Sequence, residues 1–484
     1  MRYLQPILGI LSLTLVSSLA HAQGERLWYK IHPNAPLTGF TKENQLLATD
    51  SKGNCYMVAR TARAIRDSDI EVMKYSPTGE LLWERWISGT AHSEDRALSI
   101  AVDNKDNLIL AGYVDNEGTG RDALLTKFSP EGETVFSKQV TGKVSRSDEW
   151  RFLLVDRADN LYVVGTHGTT SRADSEATLA IQAYSPSGSV LWSQREERLT
   201  KVTAQAVIAL RPTYLMSRTP LSRGKELTSS PPTLVMARFQ GEGLPGLRFV
   251  HYDLARGTLL ATQEHKSTRF TDPGYATPDR VADLGALRTL SQLHSTSAGQ
   301  LLLMGNSEAR GHPQGAFVIS WDTSSNPVWA TRFEATNGEV CSASAFRVDA
   351  AGNVYLGGHN RTASSQVNGI VAKISATGRV EWQRSDRRIA WVRDIAVDSR
   401  GRLIAIGRSE ESRASVMMFT PDGVGTLVET LDASDYRFGT TSFNGHKTEP
   451  SGLALAPDGS LYMGGDFGGP GFAGNLLVKY RLAR

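Results

Sequence analysis

The chain reads as an all-β protein, a β-propeller of about eight four-stranded blades. Two observations predict this fold. Two strand-and-turn phrases alternate along nearly the whole sequence, and the two ends together supply one further unit. The first phrase is Asp103-Asn-Lys-Asp-Asn107-Leu-Ile-Leu-Ala-Gly112, a turn opened by Asp and followed by an apolar strand. It returns at 156–165, 349–358 and 398–407, with weaker copies at 50–59, 297–305 and 456–465. A degraded eighth copy is read at 210–219.

The second phrase is Tyr75-Ser-Pro-Thr-Gly79-Glu-Leu-Leu-Trp83. Copies of its turn stand at 128–132, 184–188, 374–378 and 419–423, and 321–329 repeats it without the glycine. In the degraded unit it is aligned on Phe239 to Gly243, with Tyr252 to Thr262 as the other register. Pro presets φ and Gly accepts the positive φ that closes a tight hairpin, so Ser-Pro-x-Gly joins two antiparallel strands. The flanking runs alternate apolar and polar, which fits half-buried strands. Each unit is then strand, Asx-type turn, strand, loop, strand, tight turn, strand. The anchors Tyr75, Phe128, Tyr184, Phe239, Trp321, Ile374, Phe419 and Tyr480 step by 45 to 61 residues, with one step of 82. A four-stranded blade needs roughly 40–50 residues.

Trp83, Trp192 and Trp382 stand four residues after a turn glycine, and Trp329 takes the same slot. That regularity predicts a packing post between adjacent blades, its N–H held by a neighbour's carbonyl, rather than a sugar-stacking platform. The chain ends in Leu476 to Tyr480, a third strand without a fourth, and Leu27-Trp28-Tyr29-Lys30 resembles the missing fourth. One blade built from both ends would close the ring and remove its free edges. The count is then eight, with seven as the alternative.

Ahead of that strand, Arg2, an apolar run from Ile7 to Ala20 and Ala20-His21-Ala22 have the form of a secretory signal peptide over 1–22. Residues 23–484 are expected to form one propeller domain with an insertion around 251–284, as a periplasmic or secreted monomer without a membrane span. A net charge of +3 with interspersed signs gives no basic stripe for nucleic acid. The two cysteines, Cys55 and Cys341, fall in blades that are not neighbours and are expected as separate buried thiols.

The Asp-x-x-Gly-Asn-x-Tyr-x-x-Gly phrase resembles the bacterial SBBP-type propeller repeat. The Thr-Gly-x-x-x-Trp phrase, as in Thr78 to Trp83 and Thr377 to Trp382, is similar to the tryptophan motif of quinoprotein (PQQ-type) propellers. The second resemblance implies a redox cofactor, pyrroloquinoline quinone (PQQ) with calcium, at the axis. The chain departs from it by lacking an adjacent cysteine pair, and no calcium or quinone site maps onto its residues. It looks more like the cofactor-free propellers of that kind that serve as binding scaffolds.

No G-x-S-x-G elbow, H-E-x-x-H pair or phosphate-binding GK[ST] loop occurs. The Asp103–Asn107 and Asp156–Asn160 clusters resemble calcium loops but lack the following Gly and the distant Glu, so they read as turn caps. His92, His167, His359 and His446 fall in predicted loops without ligand spacing. Charged residues recur just before the innermost strand: Asp95, Asp148 with Glu149, Glu339, and Arg393 with Asp394. These are the candidates for a channel-mouth binding site, with strand capping as the competing role. The expected function is a non-catalytic scaffold for a protein or glycan. The alternative is a propeller enzyme, either a quinoprotein-like oxidoreductase or a glycan-active hydrolase or lyase, with its site at that mouth.

Overall fold

The computed structural model describes residues 24–33, 46–64, 67–141, 147–169, 176–200, 206–211, 215–217, 227–229, 232–241, 244–266, 269–271, 281–283, 287–307, 315–323, 326–333, 340–361, 366–432, 437–438, 441–442, 447–469 and 472–483. They form eight four-stranded antiparallel sheets and three two-stranded hairpins. Blades 1 to 7 occupy 46–87, 96–140, 147–200, 206–266, 287–333, 340–386 and 391–431. Blade 8 joins Lys447–Leu455, Leu461–Gly469 and Phe472–Leu482 to the strand Gly24–Pro33. That last pairing runs from Gly24 opposite Leu482 to Pro33 opposite Gly474. The two ends share one blade, and the count is eight rather than seven. No helix long and apolar enough to cross a membrane occurs among the described residues.

The first strand of each blade lies innermost and touches the first strands on either side, all the way round. The ring runs Leu46–Thr49, Arg96–Val102, Ser147–Val155, Ala206–Arg211, Leu287–Ser295, Val340–Val348, Trp391–Val397, Lys447–Leu455 and back. Successive side chains of a strand point to opposite faces, so each strand feeds two interfaces. Leu108 and Leu110 pack on Tyr56, Val58 and Val72 of blade 1, while Ile109 and Ala111 pack with Trp150 and Val163 of blade 3. Second and third strands are therefore covered on both faces. Leu108–Asn116 is buried over its first seven residues, whereas the outermost strand Leu81–Ile87 is half exposed. The alternation expected of every strand holds only where one face meets water. Each leucine so buried contributes about 1.5–3 kcal/mol.

One contact recurs from blade to blade. The indole N–H of Trp83 donates to the carbonyl of Pro130 in the next blade's turn at 2.9 Å. Trp28, Trp192, Trp329 and Trp382 do the same to Pro77, Leu254, Ala376 and Pro421 at 2.8–3.1 Å. The ring lies flat on the turn glycine: a Cβ on Gly132 would stand 2.7 Å from the Trp83 ring, and φ there is +86°. Trp28 carries the same contact from the terminal strand to Gly79 of blade 1, so this dock also closes the ring. The turns between first and second strands are held by Asp: Asp103 accepts the amides of Lys105 and Asn107, each at 2.9 Å. Asp106 reaches back to accept from the amide of Ser51 at 2.8 Å, linking blade 2 to blade 1. These clusters are turn caps. Cys55 and Cys341 are separate buried thiols, in blades 1 and 6.

Blade 4 departs from the register read in the sequence. Its second strand is Thr233–Gly241 rather than 210–219, which contributes to its first strand and an added hairpin, Leu215–Ser217 with Leu227–Ser229. The turn before its outermost strand is Asp253 to Thr258, and Phe239 lies in the second strand. The register is the other one offered by the sequence, Tyr252 to Thr262, with a longer turn and Gly257 in place of Ser-Pro-x-Gly, and Gly257 receives Trp192. Residues 251–266 thus belong to the blade itself, and Arg269–Thr271 with Val281–Asp283 forms a further hairpin.

Trp83→Ala should cost about 3–5 kcal/mol in chemical denaturation. Gly132→Ala should cost about 1–3 kcal/mol through its positive φ and the indole above it. Because both remove the same contact, the double variant should cost less than the sum by about 0.5–3 kcal/mol. Strict additivity would contradict the dock.

Candidate functional site

The innermost strands line the axis, and a repeated irregularity shapes them. Gly112, Gly165, Gly305, Gly358, Gly407 and Gly465 close the apolar run of the first phrase. Each lies opposite the residue just before a bulge in the innermost strand, at Ala97, Trp150, Leu290, Ala343, Val392 and Pro450. A Cβ on Gly165 would fall 1.8 Å from the carbonyl oxygen of Glu149, so the bulge requires glycine there. The residue stepped out of pairing is Leu98, Arg151, Ser291, Ser344, Arg393 or Ser451. In blade 4 Arg238 stands in the glycine's place, and the innermost strand pairs without a break. Arg238 is buried and held by Glu196 of blade 3 at 2.6 Å.

Asp95 is buried at the start of the blade 2 innermost strand, accepting the amides of Gly89 at 2.6 Å and Asp115 at 2.7 Å. It ties the connection from blade 1 to the end of the second strand, the capping role. Burial pushes its carboxyl up to about 6, against the lowering effect of those two amides. Asp148 holds the equivalent place in blade 3, buried, accepting from the amide of Gly168 at 2.7 Å. Glu149 is ion-paired with Arg151, the bulged residue of its own strand.

Asp394 spans three innermost strands. It accepts from Arg347 of blade 6 at 2.7 Å, from its neighbour Ile395 at 2.9 Å and from the amide of Leu453 in blade 8 at 3.1 Å. Burial raises its carboxyl while the Arg347 guanidinium opposes the rise. Arg393 is exposed at the bulge. Glu339 lies outside the described residues. Asp95 and Asp148 thus match each other in adjacent blades, and Asp394 belongs to a separate cross-blade link.

Two of the histidines expected in loops are in strands. His167 lies within Leu161–Thr169, buried, its ring 4.8 Å from that of Trp150. Burial pushes its pKa down to about 4, so it is neutral at physiological pH. His359 lies within Val354–Arg361, lowered first by burial and then by Arg393 and Arg361. His92 remains an exposed turn residue, and His446 lies outside the described residues.

Among the described residues no three His, Cys, Asp or Glu side chains converge as a metal donor set. Asp95, Asp148, Glu149 and Asp394 are committed to backbone amides and arginines, so these described residues do not fit a calcium-bound quinone.

Two surface features were missed in the sequence. Leu81, Leu82, Val135, Val190, Leu191, Leu259, Leu260, Val328 and Val424 are 44–58% exposed. All lie at the start of outermost strands or, for Val424, at the residue just before one, and so make an apolar belt at the rim of the turn face. The signal was the apolar residues just before the tryptophan slot, paired as Leu81-Leu82, Val190-Leu191 and Leu259-Leu260. The second feature is a cleft of about 820 Å³ on the same face, where blades 7, 8 and 1 meet.

No protein-family model and no curated protein matches the chain. Among solved structures it is similar to a puromycin hydrolase, at 11% identity and a TM-score of 0.45 over 90% of this chain. It spans only 61% of that chain. It is also similar to the WD40 domain of SCAP from fission yeast, at 9% identity and a TM-score of 0.45, over 94% of this chain and 98% of that one. A third is the β-propeller domain of the Trilobed protease from Pyrococcus furiosus, at 10% identity and a TM-score of 0.41, over 80% and 98%. The described strands themselves establish the class: an eight-bladed β-propeller.

Asp95 sets a pH expectation. Its folded value near 6 exceeds the ordinary 3.8, so the native state holds the extra proton between them. The contribution is fully present below 3.8 and is lost as pH rises through about 6. Asp95→Asn should flatten that fall in a series of melting temperatures against pH. An unchanged slope would show that another group carries it.

Proposed function

We propose that this protein is an exported, non-catalytic propeller that acts as a binding scaffold for a protein partner. The observation that carries the reading is the apolar belt. Leucines and valines are exposed at the same place in blades 1 to 5 and 7, a repeated apolar feature of the kind that marks a protein interaction surface. A glycan would be met by polar groups and flat aromatic faces, but the docked indoles bury theirs on turn glycines. Outermost strands also carry free backbone edges beside the belt, which a partner strand or loop can satisfy. The likeness of both phrases to SBBP-type and quinoprotein-like repeats supports a scaffold of that architecture. The apolar run ending in Ala20-His21-Ala22 supports export to the periplasm or beyond.

The test is crosslinking in the exporting cell, comparing the native chain with a variant carrying Leu82→Ser, Leu191→Ser and Leu260→Ser. These side chains are 46–48% exposed, so the variant should melt within a few degrees of the native chain. It should lose most of the crosslinked adduct. An adduct kept at native yield would remove the belt from the binding surface.

A further inference from the structure

Four blades carry a lysine immediately before the anchor of the third strand: Lys74, Lys127, Lys373 and Lys479. Three have a carboxylate. Lys74 meets Asp50 at 3.0 Å, Lys127 meets Asp103 at 2.7 Å and Lys373 meets Glu381 at 2.8 Å. Asp50 and Asp103 open the turn between first and second strands, and in blade 8 that place is taken by Ala456. Lys479 is nevertheless buried to 3% exposure, as deeply as Lys74 and Lys127. It donates to the carbonyl of Pro77 at 3.0 Å and lies 5.0 Å from the Tyr462 ring. Among the described residues it has no ion pair. Burial pushes its pKa down, and the nearby Asp458 opposes this only in part. A buried cation whose repeat-mates are all paired lacks its counter-charge.

Lys479 forms part of the wall of the 820 Å³ cleft, together with Arg400, Arg402, Arg481, Asp398 and Asp458. The two acids are committed elsewhere. Asp398 accepts from Arg402 Nε at 2.7 Å and from the amides of Arg400 and Arg402. Asp458 accepts from the amide of Ser460 at 2.9 Å and from its hydroxyl. Arg402 is thereby paired, and Arg481 meets Glu25 at 3.0 Å; four cations against two acids still leave the wall net positive. The cleft opens here for a topological reason. Blade 8 has no hairpin between its third and outermost strands, because these are Phe472–Leu482 and Gly24–Pro33. Blade 7 correspondingly has Leu427 in the slot where every other blade but the fourth presents an aromatic.

We propose that this cleft binds a small carboxylate, whose anion takes beside Lys479 the place that Asp50 and Asp103 take beside Lys74 and Lys127. Recognition rests on a missing member of a repeated ion pair, and the net positive wall, with Arg400 beside the paired Arg402 and Arg481, favours an acid over a neutral analogue. It is independent of the rim.

The repeat itself supplies the test. Ala456→Asp restores the absent acid within the chain. Melting of the purified protein is followed with glucuronate and N-acetylaspartate, against glucose and N-acetylasparagine as neutral controls. The native protein should show a saturable rise with an acid and none with the controls. The acid giving the larger rise distinguishes a sugar acid from an acidic peptide group. Ala456→Asp should melt higher without ligand and bind the acid at least about 10-fold more weakly. Lys479→Gln, which can still donate to Pro77, should lose the response even if Ala456→Asp folds poorly. No rise with either acid, an equal rise with the controls, or full responses in the variants would overturn the proposal.

Discussion

The ring depends on one repeated contact: an indole from one blade, laid on the turn glycine of the next, with its N–H on that turn's carbonyl. A blade is a sheet with two apolar faces and cannot stand alone, so each interface must be built as surely as each blade. The chain provides its own control. Blade 5 has no glycine in its turn, and blade 4 presents Ala261 to it rather than an aromatic. Blade 8 has no such turn, and blade 7 presents Leu427. Ring and glycine are kept together or lost together, as expected if neither has a role without the other. Phe136 on Gly188 shows that an apolar ring suffices for the stacking half of the contact.

Much of this was legible in the sequence because it is local and repeated. Ser-Pro-x-Gly and the Asp-capped turn announce themselves by residue type, and the tryptophan slot by its fixed distance from the glycine. Closure by the two ends was legible because Leu27-Trp28 has the form of an outermost strand. In blade 4 the preferred alignment on Phe239 failed and the alternative on Tyr252 held, because its turn is one residue longer and its first connection holds a hairpin, so spacing failed where composition still fitted. The glycine ending the first phrase was visible as a letter but not as a reason. Only the pairing shows it making room for the carbonyl of a bulge. His167 was assigned to a loop because a polar ring after an apolar run looks like an exit from the strand. In place it continues the strand and packs its ring, tilted, against Trp150.

The candidate charges show the same limit more sharply. Residue type and position marked Asp95, Asp148 and Asp394, but whether an acid meets water or a backbone amide depends on partners 20 or more residues away. Here those partners are the protein's own. The surfaces left unsatisfied lie elsewhere: apolar pairs on the outermost strands and a lysine without its repeat acid. Both are departures from what the repeat needs for its own packing, which is where binding features of a repeat protein are expected to accumulate. Ala456 was readable as a deviation from Asp, yet its meaning required Lys479, which follows it by 23 positions.

The most direct measurement is hydrogen exchange at the tryptophan side chains, followed by NMR on protein labelled with nitrogen-15 at the indole. Trp28, Trp83, Trp192, Trp329 and Trp382 donate to turn carbonyls of the next blade, whereas Trp86 lies exposed on the outermost strand of blade 1 and donates to the Glu84 side chain of its own strand. The five docked N–H groups should exchange slowly and together, at a rate that rises with denaturant as the ring opens, while Trp86 exchanges quickly. Docked indoles that exchange as fast as Trp86 would contradict the claim that this contact holds the blades together.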